Sequence, residues 1–389
     1  MKPHPKVRFG EIAPLVRRPV DIDLDAVYPE LGVRSFGKGT FHKPPLQGAQ
    51  VGSKRLFRIE KGDLILSNVF AWEGAVAVAG ADDGGRYGSH RFITCAVDSK
   101  RADANYLVRY LGTPDGLAQL QRASPGGAGR NRTLGLEKLQ EIVVPLPPLA
   151  EQQAVVAHLD TLADKARQVN KHLDDIEADS DRLLAVRFRD AVASATVRPM
   201  SEVAPLVRRE EAVSLEGSYP ELGIRSFGKG TFHKPPLSGA EAGSKRLFHI
   251  EPGDLLFSNV FAWEGAIAIA QPEDASRFGS HRFITCVVNQ QLSSAEFLRY
   301  YFLTEAGLEK IGEASPGGAG RNRTLGIEKL AVIEVPVPPI ETRRAFDALQ
   351  SKVAELKAKH SAIREANQSL IPATLERLFG AATNGESAA

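Results

Sequence analysis

Cysteine is nearly missing from this chain: two in 389 residues. Cys95 and Cys286 show no CxxC spacing, which argues against a zinc site and a disulfide-built domain. Each closes an apolar run, Phe92-Ile93-Thr94-Cys95 in the first case, and reads as a buried free thiol. No run reaches the roughly 18 apolar residues of a membrane helix, and the N-terminus carries no apolar segment. These absences predict no membrane span and no signal peptide, and they fit a reducing cytoplasm. Charge of one sign is also lacking: the net is +2, so attraction to a polyanion has to come from local patches. The remaining composition is ordinary for a globular protein, 43% hydrophobic and 25% charged.

The motifs of catalysis are thin as well. Gly32 to Thr40 approaches a phosphate-binding loop, but Gly39 follows Lys38 where a hydroxyl must meet magnesium. Neither a glycine-rich adenosylmethionine fingerprint nor an Asn/Asp-Pro-Pro-Tyr/Phe motif occurs; Lys43-Pro44-Pro45-Leu46 lacks both the polar and the aromatic member. Ser89-His90 and Ser280-His281 are adjacent pairs without an orienting acid, a poor nucleophile and base. His42 and His90 have no carboxylate or thiol at ligand spacing. Asp63 and Asp254 invite a nuclease reading, but each sits in a Gly-Asp turn before a strand. Trp72 and Trp263, beside Val-Phe-Ala, read as core or near-core. The chain is therefore expected to have no catalytic residues, no metal and no cofactor.

What the chain has is itself twice. Arg34 to Leu46 reappears letter for letter as Arg225 to Leu237, and Ser67 to Ala75 as Ser258 to Ala266. Between Arg34 and Cys95, 47 of 62 positions match their partners 191 residues later, without a gap from Pro14 to Pro148. Two units of that size make a duplicated domain and exclude a solenoid.

Residues 1–14 read as a polar lead-in. Leu64-Ile65-Leu66, after the turn Lys61-Gly62-Asp63, and Ala75 to Ala79 read as strands, as does Ala266 to Ala270. Asp103 to Gln121 reads as two short helices split near Gly112, with Thr113 as cap and Pro114 in the first turn. Ser124 to Gly135, repeated exactly at Ser315 to Gly326, reads as a flexible basic loop. Ile142 to Pro148 is extended.

The pattern changes at Glu151. Val155, Leu159, Leu162, Ala166, Val169, Leu173, Ile176, Ser180 and Leu183 keep a strict heptad seam. Phe346, Leu349, Val353, Leu356, His360, Ile363, Asn367 and Leu370 keep another, with His360 and Asn367 as polar members suited to fixing register. Pro372 is expected to kink or restart that helix. The fold class is thus mixed α+β: two duplicated α/β domains separated by two long helices that form an antiparallel coiled coil. The segments are residues 1–149, helix 150–193, residues 194–340, helix 341–380 and a disordered tail 381–389. Pairing of the two seams and self-association through one helix both satisfy the heptads.

Charge is segregated on this layout. Arg34 to Arg58 holds six Lys or Arg and no acid; Arg225 to His249 holds five with one acid, Glu241. Glu151 to Asp181, on the first long helix, has eight acids against three bases. Basic loops carrying Asn and Arg suit phosphate positioning and base reading. The candidate nucleic-acid contacts of the first copy are Arg34, Lys38, His42, Lys43, Lys54, Arg55, Asn68, Ser89, His90, Arg91, Arg130, Asn131 and Arg132. Those of the second are Arg225, Lys229, His233, Lys234, Lys245, Arg246, Asn259, Ser280, His281, Arg282, Arg321, Asn322 and Arg323. A solvated basic face is the bland alternative; its retention in both copies favours nucleic acid.

The run Arg132-Thr133-Leu134-Gly135 through Ile142-Val143-Val144-Pro145-Leu146-Pro147-Pro148-Leu149-Ala150-Glu151-Gln152-Gln153, leading into a long helix, resembles the end of a target-recognition domain. The family is the specificity (S) subunit of type I restriction–modification systems, and the resemblance spans essentially the whole chain. Copy two departs from it at Pro338-Pro339-Ile340-Glu341-Thr342-Arg343, which lacks the Gln. The resemblance implies a non-catalytic subunit whose two domains each read half of a split site in double-stranded DNA. It implies that the helices space the halves and dock two copies of a modification (methyltransferase) subunit, with a restriction subunit completing the complex. Such a complex aims an adenine methyltransferase at its site. Because the two readers here are nearly identical, the expected target is an inverted repeat with an unspecified spacer. Arg58/His249, Gln47/Ser238, Gln50/Glu241 and Lys61/Pro252 are the differences that perturb this symmetry. The competing reading is a duplicated protein-interaction scaffold with a coiled-coil spacer that never meets DNA.

Overall fold

Successive residues of a strand face opposite ways, so a strand buried on both sides must be apolar throughout. Leu64, Ile65 and Leu66 are all fully buried. Leu64 and Leu66 join one core cluster and Ile65 the other. The computed structural model describes residues 4–126, 132–243, 245–317 and 323–380. The candidates Arg130, Asn131, Arg321 and Asn322 and the tail 381–389 lie outside the described residues, as does part of each glycine loop. The chain forms two compact units, Met1–His172 with Ser361–Ala389, and Leu173–His360.

In the first unit Leu64–Ser67 is central in an antiparallel sheet, in the order Leu15–Val16, Phe92–Cys95, Leu64–Ser67, Val76–Val78. Helices Ala104–Leu111 and Pro114–Ala123 cover one face with Tyr106, Leu107, Tyr110, Leu111 and Leu120. Their split falls where the sequence places it: the Gly116 N–H donates to Thr113 Oγ1 at 3.1 Å, and Pro114 fills the first turn. Gly116 lets the two helices close, since a Cβ there would lie 2.2 Å from the Tyr110 carbonyl. Over the other face lie small hairpins, Leu31–Val33 with Thr40–His42 and Val27–Tyr28 with Leu46–Gln47, and the strand pair Leu56–Arg58 with Tyr87–Ser89.

The second unit repeats this plan. Its sheet runs Leu206–Val207, Phe283–Cys286, Leu255–Ser258, Ile267–Ile269. Its outer layer is a continuous five-stranded sheet, in the order Glu210–Glu211, Leu247–His249, Phe278–Ser280, Ser218–Ile224, Thr231–Ser238. Cys95 and Cys286 are free and buried, and burial pushes both thiols up to about 12.

The expected polar lead-in is structured. Lys6–Arg8 pairs antiparallel with Val143–Pro145, and Phe9 and Ile12 on the following turn are fully buried. Thr196–Pro199 pairs with Glu334–Val337 in the same way, ahead of buried Met200 and Val203. The repeat thus reaches further back than its letters: Phe9 and Met200 fill equivalent space with different side chains, so identity ends before the structure does.

The long helices span Leu149–Ala193 and Ile340–Gly380, and Pro372, where a kink or a restart is expected, lies within the second without ending it. The second helix keeps its heptad seam, with Phe346, Val353 and His360 buried, Leu349, Leu356, Asn367 and Leu370 half-buried and Ile363 exposed, whereas the seam of the first departs from its heptad in part. On the first helix Leu159 and Leu173 are buried as expected, but Val169, Ile176 and Leu183 are 39–44% exposed. The heptad members Val155, Leu162, Ala166 and Ser180 are half-buried, while Asn170 and Glu177 are half-buried in place of Val169 and Ile176, and Leu184 is buried in place of Leu183. Within the first unit Asn367 Nδ2 donates to Asn170 Oδ1 at 3.0 Å, and Phe379 packs on Tyr106 and Tyr110. Within the second, His360 Nδ1 meets Glu177 Oε1 at 2.9 Å, Lys357 meets Asp181, and Phe188 packs on Phe346. These pairings descend on one helix as they ascend on the other, so the helix segments run antiparallel within each unit. Within the first unit Val156 joins the globular core, and within the second Leu184 and Phe188 do. Polar pairs close part of the seam in each unit. No helix among the described residues is long and apolar enough to cross a membrane.

Candidate nucleic-acid interface

Three loops of the first unit assemble around one hairpin tip. The hairpin Leu31–Val33 to Thr40–His42 is closed by the Arg34 N–H donating to the Gly39 carbonyl at 2.9 Å. The Arg34 guanidinium folds back, donating to the Thr40 carbonyl at 2.6 Å and lying 5.0 Å from the Phe41 ring centre. The tip is strapped to the turn 67–75: Phe36 N–H donates to the Glu73 carbonyl at 2.8 Å and Gly37 N–H to Gly74 at 3.0 Å. Asn68 N–H donates to the Arg91 carbonyl at 2.8 Å, and Leu134 N–H to the Asn68 carbonyl at 2.9 Å. Arg132 lies 5.0 Å over Trp72. Hairpin tip, tryptophan turn, Arg91 and the end of the glycine loop are therefore one surface.

His42 and Thr40 share a buried carboxylate. His42 Nε2 and Thr40 Oγ1 each lie 2.9 Å from Asp83, which also accepts the Gly80 N–H at 2.9 Å. Burial works to raise the Asp83 pKa, but hydrogen bonds from Gly80, His42 and Thr40 outweigh it and hold the group below its usual range. The second unit repeats the network with His233, Thr231 and Asp274. His42 is thus held by a protein partner while part of its ring remains exposed.

The other candidates separate into groups. Lys38 lies 5.9 Å from the Phe36 ring centre and Lys43 5.7 Å from that of Phe92. Lys54, Arg55, His90 and Arg91 are exposed. Ser89 Oγ accepts the Arg91 N–H, bracing that turn. In the second unit Arg225 stacks on Phe232, Lys229 on Phe227 and Arg323 on Trp263. Lys245, His281 and Arg282 are exposed, Lys234 is half-buried, and Ser280 braces Arg282. Asn259 Nδ2 donates to the Leu325 carbonyl at 2.8 Å, tying the glycine loop to the strand end. Asn68 Oδ1 is buried without a partner among the described residues.

Asp63 is fully engaged elsewhere. Arg18 donates to both its oxygens, at 2.6 and 3.1 Å, and the Glu60 N–H adds a third bond. Arg209 and Asp254 repeat the pair. A carboxylate so neutralised holds the turn rather than a metal. Among the described residues no group of three or more His, Cys, Asp or Glu gathers as a metal site.

The two copies differ at one edge. Pro19 and Val20 of the first unit correspond to Glu210 and Glu211 of the second. Arg246 makes a bidentate bond to Glu210, and His249 Nε2 meets Glu211 Oε2 at 2.5 Å. Their counterparts Arg55 and Arg58 are exposed and have no carboxylate partner among the described residues. At this edge Glu210–Glu211 pairs with Leu247–His249 as a strand of the outer sheet, while the first unit keeps an isolated bridge, Pro19 to Phe57.

Phe36 and Phe227 escaped the charge-based reading. They are 73% and 74% exposed at the hairpin tips, with φ of +62° and +61°. The run Ser-Phe-Gly-Lys-Gly signals a turn, but nothing in it assigns the left-handed residue to the phenylalanine. Arg17, 4.9 Å from the Phe57 ring centre, was also outside the basic windows.

No protein-family model and no curated protein matches the sequence. The solved structures do. The HsdS subunit from Thermoanaerobacter tengcongensis superposes with a TM-score of 0.65 at 18% identity, over 99% of this chain and 97% of that one. A chain from a study of complex assembly and conformational transition of the type I R-M system gives 0.65 at 18%, over 98% and 97%. At such identity the likeness is one of fold, and it extends from end to end.

Proposed function

We propose that this chain is the DNA-specificity subunit of a type I restriction–modification system, without catalysis of its own. In this reading it directs an adenine methyltransferase and a restriction subunit to a bipartite inverted-repeat site in double-stranded DNA. One observation carries the proposal. The same basic surface, a hairpin tip beside a tryptophan turn and a stacked arginine, is built twice on a fold shared with an HsdS subunit. Cations at loop tips position phosphates, and a narrow two-stranded ribbon fits a groove. Two such surfaces of the same composition suit two half-sites of the same sequence on opposite strands.

The first long helix supports a protein partner. Ile176, Leu183 and Val186 are 43–44% exposed on one helical face, amid acidic residues. An exposed apolar line with a charged rim suits docking of a modification subunit, and the repeat allows for two copies. The test is to co-express the full chain with the methyltransferase subunit and map methylated adenines. Methylation within an interrupted inverted repeat is the expected result. Two unrelated half-sites would refute the symmetric reading, and no directed methylation would refute the specificity role. The scaffold alternative predicts no salt-dependent DNA binding.

A further inference from the structure

We propose that Phe36 and Phe227 are apolar wedges that enter a base step of duplex DNA, one from each recognition surface. The proposal rests on the DNA-reading function above and adds a mode of engagement: the DNA is unstacked and bent, as well as read.

Three observations carry it. The first is exposure: both rings stand about three-quarters in solvent, while Phe41 and Phe57, in the same basic region, are partly covered. A large apolar side chain stands exposed at that position in both copies. The second is backbone conformation. Left-handed φ is uncommon for any residue with a Cβ and a genuine outlier for a bulky one. Gly37 and Gly39 follow Phe36 and already provide left-handed positions, yet the phenylalanine is held there too. It is held firmly. Phe36 N–H and Gly37 N–H donate to the Glu73 and Gly74 carbonyls, and Ser35 Oγ donates to Glu73 Oε2 at 3.1 Å. Phe227, Gly228 and Ser226 make the same bonds to Glu264 and Gly265. Strain retained at an exposed aromatic tip marks a position set for contact.

The third observation is the company the ring keeps. Lys38 and Arg34 share its hairpin, and Arg132 lies over Trp72 on the turn that holds the tip. An exposed ring among cations matches a ligand with flat apolar faces inside a rim of negative charge, which is the stacked base step between phosphates. Side chains that wedge such steps kink the duplex, by about 20–90°.

The experiment uses the full chain and a duplex that the wild-type protein enriches from a randomised pool, labelled with donor and acceptor dyes at its ends. Wild type is expected to raise energy transfer on binding. Phe36→Ala with Phe227→Ala is expected to bind about tenfold more weakly per ring and to abolish the rise. Phe36→Leu with Phe227→Leu, which keeps an apolar wedge but no aromatic face, is expected to retain most of the rise. Undiminished energy transfer with the alanine pair overturns the wedge while leaving the DNA reading intact. If those variants keep DNA bending but lose a protein partner, the ring is a protein contact and the proposal falls. Failure to enrich any duplex overturns the DNA reading and the wedge together. Melting curves of each variant confirm that the fold is unchanged.

Discussion

Arg55 and Arg58 provide the sharpest quantitative test, because their counterparts are sequestered. Both are exposed without a carboxylate partner among the described residues, whereas Arg246 is clamped by Glu210 and His249 by Glu211. Each cation that neutralises a phosphate contributes about 0.9 to the slope of log affinity against log salt. Replacing Arg55 and Arg58 by alanine should lower that slope by up to about 1.8, which is roughly tenfold in affinity across a fourfold change in salt. Arg246→Ala with His249→Ala should change it by well under half as much, since those side chains are already neutralised in the free protein. Glu210→Gln with Glu211→Gln should raise the slope by about 0.9, by releasing Arg246. That gain cannot come from unfolding. Fluorescence anisotropy of the full chain with a mixed-sequence duplex over a salt series measures all three. Equal losses from the two alanine pairs, or no gain from the glutamine pair, would refute the reasoning that acid pairing silences the second edge.

Phe36→Gly should stabilise the first unit by about 1 kcal/mol, by relieving a left-handed aromatic residue, and urea unfolding should show the gain. Gln152→Ala should destabilise it by about 2–4 kcal/mol. Gln152 is fully buried; it accepts the Asp103 N–H and donates to the Arg101 and Pro147 carbonyls, so truncation orphans all three, and an unchanged midpoint would contradict this account. Asp83→Asn tests the shared carboxylate. Its folded pKa is depressed, so its contribution is present above the ordinary value of about 4 and is lost as pH falls through the folded value. The variant should therefore be less stable than wild type at neutral pH, and the two curves should converge in acid. Parallel curves throughout would sink the assignment.

Gln152 also shows where resemblance and structure part. In sequence the Pro-Pro-Leu-Ala-Glu-Gln junction belongs to the resemblance to the end of a target-recognition domain, and copy two lacks its glutamine. In the fold the glutamine is internal, pinning the start of the long helix to its globular domain. Arg343 takes its place, donating to the Gln290 carbonyl at 3.0 Å near Asp347, whose carboxyl is pushed up chiefly by burial.

The sequence alone determined what depends on neighbours along the chain. The buried strand at Leu64–Ser67, the Thr113 cap with Pro114 behind it, the left-handed turn at Gly62 and the existence of two long helices follow from local periodicity and turn chemistry. So does the duplication, which is a matter of matching letters. Tertiary structure decided whatever depended on a partner distant in sequence. The strand Lys6–Arg8 forms only because Val143–Pro145 presents an edge. The seam of the first helix takes Asn170 and Glu177 in preference to Val169 and Ile176 because each meets a polar partner on the second helix, Asn367 and His360. Arg246 and Arg55 are the same letter in the same motif; one is clamped by Glu210, 36 positions away, and the other has no carboxylate partner among the described residues, because Pro19 stands where the second copy has Glu210. Phe36 stands exposed in a strained turn because Glu73 and Gly74 hold it there. Local preference would have chosen glycine for that torsion, and only packing across the unit overrides it.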